Sequence, residues 1–221
     1  MKKLYSFFLI CFLISGNVLF AQLLLPQFNP VQKQTTFSSY EEDSNPILCN
    51  DGASIFYNRT YTEKDGENIV ATAQEIWFST QGKKGWKKPY RLLREDDLLG
   101  ENLIVGTNEN GTRIYVFNEL PDKDTLYRKL YYLDKAEEKY KWSEPTEVII
   151  PGLIYGSDYI HFYINFEETV ILISKPPQDN SNDEDLFVSV KDEKGNWRSL
   201  VDLGKDVNTN RVELGTFITK D

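Results

Sequence analysis

The chain of 221 residues is poor in the side chains that build metal and redox sites. Its one histidine, His161, excludes a multi-histidine zinc or haem site and an HExxH metalloprotease. Of its two cysteines, Cys11 lies in an N-terminal segment that we expect to be removed, which leaves Cys49 alone and excludes an intrachain disulfide. We predict no cofactor. No second long apolar run follows residue 21, so the mature chain is predicted to contain no membrane-spanning helix.

Positive charge is also scarce. The chain has 25 Lys and Arg against 34 Asp and Glu, a net charge of -9, and removal of Lys2 and Lys3 would bring it to -11. Nucleic acids and anionic membranes are bound mainly through basic patches that neutralise phosphates. The composition therefore predicts no nucleic-acid partner.

The N-terminus has the pattern of a secretory signal peptide. Lys2 and Lys3 precede the apolar run Phe7–Leu13, and Ala21 precedes the polar Gln22. A charged start, a short apolar stretch and a small residue at the end are the features of such a leader. We therefore predict a signal peptide over residues 1–21 and a mature chain that is periplasmic or associated with the outer membrane.

A lipid anchor is the alternative for the same segment. It would use Cys11, but Ile10 stands where lipoprotein signals require a small residue. We therefore expect a mature chain that begins at Gln22 without a lipid.

What the chain does contain is aromatic residues, 14% of the sequence, and an internal repeat. Trp86, Trp142 and Trp197 stand 56 and 55 residues apart, and the first two are followed three residues later by proline. Abundant aromatics favour strands. A fixed period of this length is the mark of a repeat architecture.

Turn markers follow the same frame. Asp51-Gly52 and Asn110-Gly111 each stand between apolar runs, where such pairs predict tight hairpins because they tolerate positive φ. The third repeat has Glu167-Glu168 at this point, so its turn type stays open.

Each repeat is predicted to contain four short strands. In the first, a polar loop is predicted between the second and third strands. No helical period is found in the mature chain, and four strands per repeat of this length are typical of a β-propeller blade. The predicted strands are 45–49, 54–59, 75–79 and 86–93; 103–107, 112–118, 126–133 and 142–149; 160–164, 169–175, 185–190 and 196–203; and 214–218.

The junction between the third and fourth units resembles a known repeat. It resembles the WD40-like, TolB-like β-propeller repeat of Bacteroidetes cell-envelope proteins, which often precedes an OmpA-like domain. That domain is not found in this sequence. The matching positions are Gly195, Trp197, Leu203, Gly204, Asn208, Thr209, Glu213 and Asp221, with Asp202 where the repeat usually has Asn.

The resemblance implies an all-β fold, a partial β-propeller of three four-stranded blades plus the first strand of a fourth. We expect an N-terminal arm over residues 22–42 and blades at 43–100, 101–157 and 158–212, with the next blade starting at 213–221. Propellers close with about four to eight blades. We therefore expect either a truncated chain or self-association through open blade edges that completes a six-bladed ring.

Nine residues are predicted to hold structural positions of the repeat. The tryptophans among them are expected to be buried between the outer strand and the blade; stacking on sugars is the alternative. The nine are Asp51, Gly52, Trp86, Asn110, Gly111, Trp142, Trp197, Gly204 and Asn208.

Other candidate sites are weaker. His161 lies in a predicted strand without a second histidine, so we expect it to be packed within a blade. The acidic run 179–185 has oxygen ligands at alternate positions, but it lacks the glycine and the final glutamate of a calcium loop, and we interpret it as a solvated loop. Residues 189–197 only loosely resemble a sialidase Asp-box.

The sequence thus favours an exported, non-enzymatic β-propeller module that binds or scaffolds a protein or a glycan of the bacterial envelope. No catalytic or metal-binding residue is predicted, and the ligand-binding residues stay unassigned. The alternative is a carbohydrate-active enzyme that uses two channel-facing carboxylates on the same architecture.

Overall fold

The computed structural model describes residue 36 and residues 38–93, 101–122, 125–138, 141–155, 160–177, 183–214 and 217–218. The predicted signal peptide and most of the predicted arm lie outside these residues. The described residues belong to one compact unit, 35–221. It is all-β, as predicted, with no helix in the described part of the chain.

The strands form three antiparallel sheets in chain order. The first sheet contains β1 (Glu42–Leu48), β2 (Ser54–Asp65), β3 (Asn68–Gly82), β4 (Gly85–Trp86) and β5 (Tyr90–Arg91). The second contains β6 (Glu101–Thr107), β7 (Arg113–Asp122), β8 (Thr125–Asp134) and β9 (Thr146–Glu147). The third contains β10 (His161–Ile164), β11 (Val170–Lys175), β12 (Asp185–Val190) and β13 (Val201–Asp202).

The fourth strand of each sheet is interrupted, so the prediction of one continuous strand after each tryptophan is wrong. In the first sheet Trp86 lies opposite Gln81, and pairing resumes four residues later, where Tyr90 lies opposite Phe78. Because four residues here face three on the partner strand, each fourth strand carries a bulge. The same offset follows Trp142 and Trp197, which lie opposite Lys135 and Lys191.

Local chemistry explains the interruption. Pro89 and Pro145 cannot donate to the ladder. In the first and third sheets a serine hydroxyl also donates a hydrogen bond to a backbone carbonyl within the interruption. Ser79 Oγ donates to Lys87 O at 2.7 Å, and Ser189 Oγ donates to Arg198 O at 2.6 Å.

The polar loop predicted between residues 59 and 75 is also wrong. β2 and β3 continue as a hairpin to Asp65 and Asn68, closed by Gly66 at φ +64. The outer part of this hairpin is exposed, with Ile69 and Val70 among its residues. The sequence did not indicate this extension because its residues are mostly polar. Backbone pairing and β propensity can extend a hairpin past the point where its side chains are buried.

The second sheet lies between the other two, and its two faces belong to different cores. Along β7, Ile114 and Val116 pack in a core cluster with residues of the first sheet, whereas Tyr115 and Phe117 pack in a cluster with residues of the third. This alternation is the period-two pattern of a strand buried on both faces. Every sheet is open, since its first and last strands do not pair.

The predicted start of a fourth unit, 214–218, is only partly described. Leu214, Phe217 and Ile218 belong to no strand, and residues 215–216 lie outside the described residues. The segment nevertheless contacts the third sheet, because Tyr163 donates from its hydroxyl to Ile218 O at 3.2 Å and Ser174 donates to Glu213 O at 2.7 Å.

Candidate functional site

Two clefts occupy equivalent positions between successive sheets. The first cleft, between the first and second sheets, has a volume of about 210 Å³ and includes Phe56, Phe78, Tyr90, Lys135 and Trp142. The second cleft, between the second and third sheets, has a volume of about 450 Å³ and includes Arg113, Tyr115, Tyr132, Glu147, Lys191 and Trp197.

The two clefts differ in the residue that closes the nearby turn: in the second it is a glutamate with the positive φ that is usual for glycine. Gly52, Gly111 and Glu168 close the three equivalent turns with φ of 62°, 63° and 57°. Each donates its N–H to the residue three positions earlier. The third turn, whose type the sequence did not decide, therefore has the same conformation as the other two. A bulky residue at positive φ is strained, and strain of this kind is retained where the side chain is used.

The Glu168 side chain bonds two residues of the second sheet that line the second cleft. Its Oε1 accepts from the Tyr115 hydroxyl at 2.6 Å and from an Arg113 nitrogen at 3.2 Å. Tyr115 is 1% exposed, and its burial, reinforced by the bond to Glu168, raises the pKa of its hydroxyl well above the usual value. The hydroxyl therefore stays neutral and acts as a donor.

Arg113 is held from three sides. It lies opposite Asp134 in the β7–β8 ladder and donates two hydrogen bonds to that carboxylate, at 2.7 and 2.8 Å. Its guanidinium carbon also lies 4.2 Å from the centroid of the Tyr132 ring. Paired carboxylate bonds raise the pKa of Arg113 above its already high value. Arg113 and Tyr132 thus form a fixed wall of the second cleft.

Lys191 and Trp197 form the facing wall. A turn between them is closed by Asp192, whose Oδ1 accepts from the backbone N–H of Lys194 and of Asn196, each at 2.9 Å. Lys191 and Trp197 then lie opposite each other, with the ammonium nitrogen 4.9 Å from the indole centroid. Burial lowers the pKa of Lys191.

The rim of the second cleft is also fixed. Glu147 accepts from Lys129 Nζ at 2.8 Å. Leu200 donates its N–H to Pro151 O at 3.0 Å, which ties the segment after β9 to the third sheet. Side chains on both walls are therefore held by contacts that do not depend on a ligand.

The predicted repeat residues act in the frame around these clefts. Asp51 Oδ1 accepts from Ala53 N at 2.8 Å and from Ser54 N at 3.0 Å, and the first of these bonds is the main cause of its lowered pKa. Gly204 has φ +74 and accepts from Asn208 N at 2.7 Å. The buried Asn208 amide bonds both the N–H and the carbonyl of Leu186, and it fastens this loop to β12. Asn110 is exposed in its turn.

The three tryptophans are half-buried. That they hold structural positions of the repeat stays a prediction. Trp142 and Trp197 pack against the edges of the two core clusters and each faces a cleft. Each of these two rings is therefore partly accessible from its cleft.

His161 is likewise not packed in a blade. Its side chain is 56% exposed at the start of β10, and Nε2 lies 4.0 Å from Glu184. Of the acidic run 179–185, residues 179–182 lie outside the described residues. Glu184, which is described, is buried and accepts from Ser174 Oγ at 3.0 Å.

No group of three or more His, Cys, Asp or Glu in the described ranges is placed to hold a metal ion. Within the same ranges no helix is both long and apolar enough to cross a membrane. In comparisons with known proteins, no family model, curated protein or solved structure matches this chain.

Sequence reasoning missed the residues that make the second cleft polar. Asn108 and Asn165 each use Oδ1 to accept from the two backbone N–H groups four and five residues ahead. The pattern Asn-x-x-x-Thr at 108–112 and 165–169 could have revealed that Glu168 occupies the place of Gly111. Nothing local indicates that Glu168 reaches Arg113, which is distant in sequence.

Proposed function

We propose that this chain is an exported, non-enzymatic β-propeller module that binds or scaffolds a protein or a glycan in the bacterial cell envelope. The carrying observation is that the three sheets repeat one register, with the same turn before the second strand and the same offset at the fourth. Such repetition is typical of blades, which are stacked units and not independent domains.

The packing order supports the blade interpretation. β6, the first strand of the second sheet, lies against the strands of the first sheet, and β10, the first strand of the third, lies against β6. In a propeller the first strands of successive blades are neighbours around the central axis. The Asn58 amide adds a direct link, because it donates to Asn102 O and accepts from Ile104 N.

The second cleft favours binding over hydrolysis. A glycosidase needs a pair of carboxyl groups placed on either side of the scissile bond. Glu147 is engaged by Lys129, and Glu168 is engaged by Arg113 and Tyr115. Carboxylates held in this way are suited to positioning other side chains.

The partner surface includes the open edges of the stack. Several large apolar residues of the third sheet and the segment after it are exposed, among them Val201, Val212 and Phe217. Exposed apolar area of this kind marks association sites. We propose self-association through these edges, which light scattering on the chain from Gln22 to Asp221 would detect; a monomer at all concentrations would contradict it.

The main proposal is tested by fractionation and by product analysis. The full chain is expected in the periplasmic or outer-membrane fraction, with an intact mass that begins at Gln22. Incubation with peptidoglycan fragments and with neutral and acidic oligosaccharides should yield no new product by chromatography. Retention in the cytoplasm, or hydrolysis of any of these sugars, would overturn the proposal.

A further inference from the structure

We infer that the second cleft is a binding site for a saccharide that carries a carboxylate, such as a uronic acid residue. The carboxylate would pair with Lys191, and the sugar ring would lie between the Tyr132 and Trp197 walls. This inference rests on the proposed function, which it makes specific.

The size and the lining fit such a ligand. A volume of about 450 Å³ lies within the range of small-molecule sites, roughly 300–1,000 Å³. Two half-buried aromatic rings border it, and rings of this kind present an apolar face together with a polar edge. A pyranose ring matches that surface, because it has an apolar C–H face and hydroxyl groups around its edge.

Lys191 is the group in the second cleft that favours an anionic ligand. Among the described residues its ammonium forms no salt bridge, and its contact is with the Trp197 ring at 4.9 Å. The other charges of the cleft are already paired: Arg113 with Asp134 and Glu168, and Glu147 with Lys129. Glu168 attracts the Lys191 ammonium without forming a salt bridge with it, so this half-buried cation still gains from an anion that enters the cleft. Burial also lowers the pKa of Lys191.

The first cleft shows what the second would be without this specialisation. Its walls are Phe56 and Phe78, at the positions of Tyr115 and Tyr132. Of its two lysines, Lys141 is paired with Glu138, and the exposed Lys135 occupies the position of Lys191 opposite the tryptophan. Lys135 therefore provides a matched control at the same place in the repeat.

A saccharide fits these observations better than a peptide carboxylate. A chain terminus would need backbone donors and acceptors along the groove, whereas the walls of the second cleft are side-chain rings and charges. Because the whole chain has a net charge of -9, it repels anions at long range. Recognition must then come from short-range contacts inside the cleft.

The test measures binding of digalacturonate and of its methyl ester by titration calorimetry, using the chain from Gln22 to Asp221. We expect saturable binding of the acid and at least tenfold weaker binding of the ester, which removes the charge and keeps the rings. Lys191→Met should weaken binding of the acid tenfold or more, and Lys191→Arg should retain most of it. Lys135→Met should bind as the natural chain does.

Melting temperatures of the variants separate loss of contact from loss of fold. Trp197→Ala should also weaken binding of the acid, because it removes one of the two rings that border the cleft; if that variant does not fold, the two Lys191 variants still decide the question. Equal binding of acid and ester, full binding by Lys191→Met, or preference for a peptide with a terminal carboxylate would overturn the inference. A chain that reaches the envelope, hydrolyses no sugar and binds no uronate would overturn this inference alone and leave the proposed function standing.

Discussion

The two clefts are built from the same repeat, yet the residues of the second and third strands that line one are phenylalanines and those that line the other are tyrosines and an arginine. In the first cleft Gly111 closes the turn beside Phe56 and Cys49. In the second, Glu168 closes the equivalent turn and bonds Tyr115 and Arg113. The backbone is shared, so the difference lies in side chains alone.

The comparison shows how a repeat gains a polar site without losing its frame. Three positions change together: a glycine becomes glutamate, a phenylalanine becomes tyrosine, and Ser54 is replaced by Arg113. Each change would be unfavourable alone, because a buried polar group is costly unless it is paired. The pairing among them offsets that cost and the strain at φ 57.

The largest expected effect comes from copying only one of the three changes. Gly111→Glu should lower the free energy of unfolding by about 3 kcal/mol or more, from a left-handed non-glycine residue and an unpaired charge. Its Cβ would lie 3.3 Å from Cys49 Sγ. Urea denaturation measures the loss.

The reverse substitution is the control. Glu168→Gly relieves the backbone strain while it removes the partner of Tyr115, so its net cost should be below about 1.5 kcal/mol. Equal losses for Gly111→Glu and Glu168→Gly would break the comparison.

The tryptophans are expected to give a smaller effect. Trp142→Ala and Trp197→Ala should each cost roughly 2 kcal/mol, about half the loss of a fully buried large aromatic, because each ring is half-exposed. Trp86→Ala should cost a similar amount, because Trp86 is also half-buried at the equivalent position of the first sheet. A loss of roughly 4 kcal/mol at any of the three sites would restore the buried interpretation.

Tyr115→Phe gives the second cleft the residue type of the first, and it should cost about 1 kcal/mol at neutral pH through loss of the bond to Glu168. Because the pKa of Tyr115 is raised in the folded chain, its share of stability is complete below its unfolded value and is lost as the pH rises through the folded value. The variant should therefore lose less stability than the natural chain above about pH 10.

Tyr132→Phe serves as the matched variant. The Tyr132 hydroxyl forms no hydrogen bond within the described residues, so this variant should keep nearly the stability of the natural chain at neutral pH. Identical alkaline profiles for Tyr115→Phe and the natural chain would contradict the assignment of the Glu168 bond.

The smallest effect is a change in reactivity. Burial raises the pKa of the Cys49 thiol to about 12, so in the folded chain from Gln22 its alkylation at pH 8 should be at least roughly tenfold slower than in urea. Trp142→Ala should speed the reaction, because Trp142 packs on the cluster that contains Cys49, whereas Trp197→Ala should not. Equal acceleration by both variants would show that the cores open together.

Much of the fold could be predicted because it follows from local pattern. The repeat of short strands predicted 185–190, and the turn before Ser54 predicted a strand that begins there; both strands are observed. The break after each tryptophan was not predicted, although Pro89 and Pro145 are local signals for it in the first two sheets. In the third sheet, which has no such proline, the break depends on cross-strand bonds such as that of Ser189 to Arg198. The polar cleft was missed for the same reason: Glu168 and Arg113 meet only once two sheets are stacked.

The alternation along β7 couples the folding of the whole stack. Since Ile114 faces one neighbouring sheet and Tyr115 faces the other, the middle sheet completes neither core by itself. In a linear array of repeats, the free energy of unfolding is the sum of contributions from the units and from the interfaces between them. Here β7 takes part in both interfaces. Unfolding of the second sheet therefore exposes both neighbours at once, and the three sheets are expected to melt in a single cooperative transition.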